Sequence, residues 1–187
     1  MTIIFLILLG TLILYSPKWA LERGSELIYQ RNYTQAEKYL NYAKFFNPRS
    51  TEILTLLGIS LYHQGKSNEA FNVLTQAKNL NSRDYRTYYY LGRIYYNQGD
   101  LDNAIKEFSQ AFNLNKRSHL TAGYLASSFY HRKDYRTSIM WAETVVRLNN
   151  KDIEGWNLLG LSYGNIGFYD KALEAYNKAI ELNNNYC

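Results

Sequence analysis

Residues 153–186 read IEGWNLLGLSYGNIGFYDKALEAYNKAIELNNNY, and the fold is decided here because the same pattern recurs along the chain. The pair Leu159-Gly160 has counterparts 34 residues apart in Leu57-Gly58, Leu91-Gly92 and Leu125-Ala126. Self-similarity at a fixed period of this length indicates a repeat protein. Five blocks align without insertions when they begin at Pro17, Thr51, Tyr85, His119 and Ile153. The predicted repeats are therefore residues 17–50, 51–84, 85–118, 119–152 and 153–186.

Small and large residues alternate at fixed positions of the block. The eighth position reads Gly24, Gly58, Gly92, Ala126 and Gly160. The twentieth reads Ala36, Ala70, Ala104, Ser138 and Ala172, whereas the eleventh is always large. Two antiparallel helices approach closely where a small side chain on one accepts a bulky neighbour from the other. The pattern predicts an all-α chain of five antiparallel helix pairs.

Turn residues support the same assignment. Gly65, Gly99 and Gly167 fall where the first helix of a pair must stop, and Asp100 is a candidate cap for the helix that follows. Proline, which interrupts helices, occurs only twice in the chain. Both observations favour helices joined by short turns.

The last block resembles the tetratricopeptide repeat (TPR) family. The family pattern Trp-x-x-Leu-Gly-x-x-Tyr, followed by Ala, Phe and Ala, is matched by Trp156, Leu159, Gly160, Tyr163, Ala172, Tyr176 and Ala179. The first block departs from it at Ala20 and Arg23, and the fourth at Ala122, Ser138 and Ala142, so we expect these two hairpins to pack less firmly. The resemblance implies a right-handed superhelical solenoid with a concave inner face, stabilised by stacking of neighbouring hairpins.

Composition limits the classes of function. The net charge is +5, but Lys and Arg are spread along the chain instead of forming a basic block, which argues against a nucleic-acid partner. The single cysteine, Cys187, excludes an internal disulfide. Tyrosine is frequent, at 19 residues, so much of the buried or contact surface must be aromatic.

The N-terminal segment, residues 1–16, is predicted to be a membrane anchor. Residues 2–15 are uncharged and apolar, although as a helix they would reach only about 21 Å of the roughly 30 Å hydrocarbon core. Because Lys18, Arg23 and Arg31 all follow this stretch, the repeats are predicted on the cytoplasmic or stromal side. Two alternatives stay open: a cleaved export signal, and an apolar helix buried against the first repeat.

The resemblance also implies where a protein or peptide partner binds. In the family, the first helix of each hairpin lines the concave groove and most often contacts ligand through its second, fifth, ninth, twelfth and thirteenth positions. Here these include Tyr62, His63, Tyr89, Arg93, Tyr96, Asn97, Tyr130, His131, Asn157 and Asn165. We expect Tyr62, Tyr96 and Tyr130 to form a ladder, one per repeat, unless some of these rings only fill gaps between hairpins.

Other kinds of site are not expected. His63 and His131 are two repeats apart, which argues against a shared metal ion, and no cofactor is predicted. The fifth positions lack the lysine with which some family members grip a chaperone's terminal carboxylate. No nucleophile elbow, phosphate loop or dinucleotide motif occurs, so the chain is predicted to be no enzyme.

Three functions fit the sequence. The first is a membrane-anchored scaffold that assists assembly or stability of a membrane protein complex, with a general resemblance to the cyanobacterial and plastid TPR proteins that assist photosystem I assembly. The second is a bacterial envelope protein with exported repeats, acting in pilus or secretion machinery. The third is a self-oligomerising coat protein that associates through Ala172, Leu173, Tyr176 and Ile180 of the last hairpin.

Overall fold

The structure is a computed structural model that describes residues 16–184. All regular elements in this range are α-helices. They are α1 Pro17–Tyr29, α2 Tyr33–Phe46, α3 Thr51–His63, α4 Ser67–Asn79, α5 Tyr85–Asn97, α6 Leu101–Leu114, α7 His119–His131, α8 Tyr135–Leu148, α9 Ile153–Asn165 and α10 Tyr169–Asn184. The predicted all-α fold class is confirmed. The first helix of each pair begins every 34 residues, at the residues where the sequence blocks begin.

Side-chain caps explain where most helices start. Ser16 accepts a hydrogen bond from the Trp19 amide and is followed by Pro17, which suits the first turn of α1. Ser50 and Asp152 cap α3 and α9 in the same way. Each cap satisfies a backbone N–H that has no partner inside the helix.

The turn within each hairpin uses a left-handed residue. Gly65, Gly99 and Gly167 have φ between 78° and 81°, as the sequence indicated. The equivalent residues of the first and fourth hairpins are Arg31 and Lys133, with φ of 59° and 63°. The turn geometry is therefore imposed by the helix pair even where glycine is absent.

The chain divides into two compact units, residues up to Tyr90 and residues from Leu91. In the first unit, α1 packs on α2 and α3 on α4. A Cβ on Gly24 would lie 2.7 Å from Leu40, and one on Gly58 would meet the Leu74 side chain, so the small eighth residue sets the distance between paired helices. Helix α3 is buried from Ile53 to Leu61, which makes it the centre of this unit.

The second unit repeats this packing. A Cβ on Gly92 would lie 2.7 Å from Phe108, and one on Gly160 would lie 2.7 Å from Tyr176. The fourth hairpin instead has alanines at both places, Ala126 and Ala142, and both are fully buried in the core formed by α7, α8, α9 and α10.

Ser138, one of the reduced positions of the fourth hairpin, is also fully buried. Its hydroxyl group donates to the Ala126 carbonyl at 2.9 Å and shares a 2.8 Å hydrogen bond with Ser162. The polar group is thus satisfied inside the core, as buried hydroxyls generally are.

The predicted membrane localisation is wrong. No helix between residues 16 and 184 is long and apolar enough to cross a bilayer. These helices have at most 16 residues, about 24 Å, and each carries polar residues on its outer face. The predicted anchor itself, residues 2–15, lies outside the described residues.

Candidate functional site

The predicted partner-binding residues all lie on first helices of hairpins, namely α3, α5, α7 and α9. The eleventh residue of these helices faces the interior, and the thirteenth is about 200° further round the helix, so it points outward. The thirteenth residues His63, Asn97, His131 and Asn165 are accordingly exposed, and so is Asn157 at the fifth position. Half-buried positions are held by Tyr62, Tyr89, Arg93, Tyr96 and Tyr130.

In the first unit, five aromatic side chains form what we call the first aromatic cluster: Tyr33, Tyr62, His63, Tyr89 and Tyr90. The His63 ring stacks on Tyr33 with a centroid distance of 4.5 Å and an interplanar angle of 10°. Tyr62 meets Tyr90 edge to face at 5.2 Å, and Tyr89 meets Tyr90 edge to face at 5.3 Å. The rings therefore form one continuous surface built from α2, α3 and α5.

A hydrogen bond orients the histidine of this cluster. The Nε2 atom of His63 lies 2.9 Å from the hydroxyl oxygen of Tyr90. With one ring face on Tyr33 and one nitrogen on Tyr90, the imidazole has little freedom to rotate. A preorganised aromatic surface loses little entropy when a ligand binds to it.

In the second unit, a comparable set forms the second aromatic cluster: Tyr96, Tyr124, Tyr130, His131 and Tyr135. Tyr96 meets Tyr124 edge to face at 5.6 Å and lies 5.9 Å from the His131 ring. Tyr130 contacts His131 at 5.8 Å and Tyr135 at 5.5 Å. This cluster borders an open cavity of about 310 Å³ lined by Tyr96, Gly99, Leu101 and His131.

Polar groups lie at the edge of the second cluster. The Asn165 side-chain amide donates to the Tyr130 hydroxyl at 3.3 Å and to the Leu161 carbonyl at 2.8 Å. The Arg93 guanidinium lies over the Tyr124 ring, 5.5 Å from its centroid. The structure thus places an amide, a cation and several phenols within reach of one ligand.

Within each unit, the structure brings several predicted residues together. Tyr62, His63 and Tyr89 belong to the first cluster, whereas Tyr96, Tyr130 and His131 belong to the second. Asn157 is exposed on α9. The ladder of Tyr62, Tyr96 and Tyr130 spans both units and stays a prediction.

Sequence reasoning missed four aromatic members of the clusters. Tyr90 and Tyr124 occupy the sixth position of their repeats, and Tyr33 and Tyr135 the seventeenth. The sixth position is not among the ligand positions that the resemblance implies, and the seventeenth lies on the second helix. The recurrence of tyrosine at the same position of two repeats was the available signal.

One expected groove position is structural. Thr55, the fifth residue of the second repeat, is fully buried. Its hydroxyl group donates to the Thr51 carbonyl at 2.7 Å and shares a 2.6 Å hydrogen bond with Thr87. This side chain serves the packing of α5 on α3 and does not face a ligand.

Among residues 16–184, no group of three or more His, Cys, Asp or Glu side chains could hold a metal ion. His63 and His131 lie in separate clusters, each packed against tyrosine rings. The site is therefore best described as a surface of phenol, imidazole and amide groups.

Comparison with protein families gives one consistent result. Three models of the tetratricopeptide repeat match residues 21–78, 85–118 and 153–186. A search of curated protein sequences finds no significant match.

Several solved structures share the fold of this chain. A crystal structure of MamA aligns with a TM-score of 0.77 and 20% identity, covering 89% of this chain and 91% of that one. A double mutant, MamA RS-1 ArsTM, aligns with a TM-score of 0.80 and 16% identity, covering 91% and 96%. YrrB, described as a TPR protein with an unusual peptide-binding site, gives a TM-score of 0.76 at 14% identity, covering 90% and 87%. At these identities the similarity shows the fold alone.

Proposed function

Because this chain belongs to the tetratricopeptide repeat family, we propose that it is a non-enzymatic scaffold that binds protein partners through the two aromatic clusters, which lie mainly on its first helices. The observation that carries the proposal is the grouping of half-buried and exposed tyrosine and histidine side chains at the edge of the core. The description of YrrB as a peptide-binding TPR protein supports the same class of partner.

The chemistry of the clusters favours an extended peptide segment. Tyrosine rings supply apolar contact area with few rotatable bonds, and their hydroxyl groups can donate to or accept from a peptide backbone. Asn165 and Asn157 add amides, which carry both a donor and an acceptor. Such groups recognise the backbone of a partner together with its apolar side chains.

The test is selection of peptides from a random display library by the purified protein, followed by affinity measurement with the selected peptide. We expect Tyr62→Ala to weaken a peptide bound at the first cluster, and Tyr130→Ala one bound at the second, each roughly tenfold, because truncation of a central aromatic contact commonly costs more than 1 kcal/mol. Helical circular dichroism should be unchanged.

The matched control is Tyr42→Ala. Tyr42 is 38% exposed and lies on α2, nine residues after Tyr33 and outside both clusters. Binding should survive this substitution. If Tyr42→Ala weakens binding as much as Tyr62→Ala, or if no peptide is selected, the clusters are not the binding site.

A role in photosystem I assembly, which the sequence suggested, receives no support from the comparisons or from the described residues. The proposal is therefore restricted to peptide or protein binding.

A further inference from the structure

Helix α10 presents an apolar surface that the rest of the described chain does not cover. Leu173 is 61% exposed and Ile180 is 56% exposed, and they lie seven residues apart on one side of the helix. The exposed Tyr169 ring extends this surface, which we call the α10 face. It is distinct from both aromatic clusters, so the inference below does not depend on the proposed function.

The fourth hairpin shows what such a face binds. Ile139 and Val146 on α8 occupy the repeat positions of Leu173 and Ile180. Ile139 is only 8% exposed, and Val146 is partly buried in the same core.

The cover over Ile139 and Val146 comes from the helix that follows. Trp156, Leu158 and Tyr163 of α9 pack into this core, and the α9 backbone approaches Val145 closely at Gly155. The natural cover of this surface is therefore another helix.

Polar contacts in the second unit indicate which side chains a covering helix would place at the edge of the α10 face. Asp102, on the second helix of the third hairpin, accepts from Arg132, just beyond the C-terminal end of α7, at 2.9 Å. Glu143 on α8 accepts from the Tyr163 hydroxyl of α9 at 2.8 Å. In both cases a carboxylate on the second helix of one hairpin accepts a hydrogen bond from a side chain of the following hairpin.

Asp170 of α10 occupies the repeat position of Asp102 and is exposed. The nearby cations of α10 are directed elsewhere. Lys171 lies over the Tyr163 and Phe168 rings, at 5.4 and 5.8 Å, and Lys178 pairs with Glu181 at 2.9 Å. The edge of the α10 face is therefore open to a basic residue of a partner.

We propose that the α10 face binds an amphipathic helix of a partner protein, with its apolar side on Leu173 and Ile180 and an Arg or Lys near its C-terminal end facing Asp170. A cation at that end of the helix also interacts favourably with the helix dipole. Binding of a helix in an apolar groove with charged edges is a common mode of peptide recognition.

Two elements of a second copy fit this surface less well. Ala20 and Leu27 of α1 are at most 1% exposed within their own unit, so neither is available to a second copy. In an antiparallel pair of α10 helices, Asp170 of one copy would face the last turn of the other, which contains Glu181 and no Lys or Arg.

The test uses two synthetic 16-residue helical peptides with the same leucine stripe, one with two arginines and one with two glutamates in the last turn. Fluorescence anisotropy of the labelled peptides measures binding to the full chain. We expect the arginine peptide to bind, Leu173→Asp to weaken it about tenfold or more, and Asp170→Lys to reverse the preference in favour of the glutamate peptide.

Met140→Asp is the matched control, because Met140 is also 61% exposed but lies on α8 of the preceding hairpin. It should leave binding unchanged. The proposal is overturned if both peptides bind equally, if neither binds, or if Met140→Asp acts like Leu173→Asp. It is also overturned if the chain sediments as a dimer that Leu173→Asp dissociates, because the occupant is then a second copy.

Discussion

At the residue scale, the eighth residue of a hairpin is matched in size to the twenty-fourth. Glycine occurs with a large partner at Gly24 and Leu40, and again at Gly92 and Phe108. Where the eighth residue is Ala126, the twenty-fourth is Ala142. The two side chains together fill the same space between the paired helices. A core tolerates substitution best when the total side-chain volume is kept.

Gly58→Ala tests this sharing of volume. The added Cβ would collide with the Leu74 side chain, so we expect a loss of roughly 1–3 kcal/mol in the free energy of unfolding. Leu74→Ala alone should cost about 2–5 kcal/mol because it leaves a cavity. The double variant should lose about 1 kcal/mol less than the sum of the two single losses, since its alanine pair copies the fourth hairpin. Urea denaturation of the wild type, the two single variants and the double variant measures these free energies. Strictly additive losses would contradict the expected matching of the two side chains.

Glu37 gives a prediction about pH. Burial would raise the pKa of this carboxyl group, but hydrogen bonds from Lys66 and Gln64 outweigh burial and lower the pKa below its ordinary 4.5. A lowered folded-state pKa contributes stability above the unfolded-state value, and the contribution disappears as the pH falls through the folded-state pKa. Lys66 Nζ lies 2.8 Å from the carboxylate.

We therefore expect Glu37→Gln to lower the melting temperature at pH 7 and to have progressively less effect below pH 4.5. The effect at pH 7 should be small, because the pair is partly exposed to solvent. Thermal denaturation at several pH values measures the difference between the two proteins. Glu22→Gln, on an exposed residue 4.0 Å from Lys18, is the control. A difference that stays constant down to pH 3 would show that the ion pair is not its cause.

At the element scale, the turn between paired helices needs a left-handed residue. Three hairpins supply glycine, but the fourth uses Lys133 with φ of 63°. A residue with a Cβ is strained there by about 1–2 kcal/mol, whereas glycine is not. Glycine also has more freedom in the unfolded chain, which offsets part of the gain.

Lys133→Gly should therefore stabilise the protein by about 0.5–1 kcal/mol. Gly99→Ala, at the same repeat position with φ of 80°, should destabilise it by a similar amount or more. Both effects are read from chemical denaturation. Lys133 is exposed, so Lys133→Ala removes the charge but keeps the strained Cβ. If Lys133→Ala and Lys133→Gly change the stability equally, relief of backbone strain is not the cause.

Helices and turns could be predicted from sequence because the constraint on them recurs every 34 residues. The start of α4 could not, since Lys66 occupies its cap position without a side-chain cap. Lys66 instead pairs with Glu37 of the preceding hairpin, a contact specific to two residues. The aromatic clusters were only partly predictable. Tyr62 and Tyr130 occupy positions at which the family resemblance implies ligand contact, whereas Tyr33 and Tyr90 do not, and tertiary packing brings them beside Tyr62 and His63.

At the scale of the whole molecule, the contacts of residues 16–184 are local. Within each unit, the helix pairs in contact lie one or two elements apart along the chain. In repeat proteins built this way, stability is approximately a sum of hairpin terms and nearest-neighbour terms. A substitution should therefore weaken its own region more than a distant one.

Two matched leucines test this locality. Leu40 on α2 and Leu125 on α7 are both fully buried, and each Leu→Ala change should cost about 2–5 kcal/mol locally. Each substitution is made in two variants that keep a single tryptophan as the fluorescence reporter, with the other tryptophans replaced by phenylalanine. One variant keeps Trp19, in the first unit, and the other keeps Trp156, in the second. We expect Leu40→Ala to lower the urea midpoint reported by Trp19 more than that reported by Trp156, and Leu125→Ala to do the opposite. If each substitution moves both midpoints equally, the chain unfolds as one cooperative body, and hairpin stabilities cannot be treated separately.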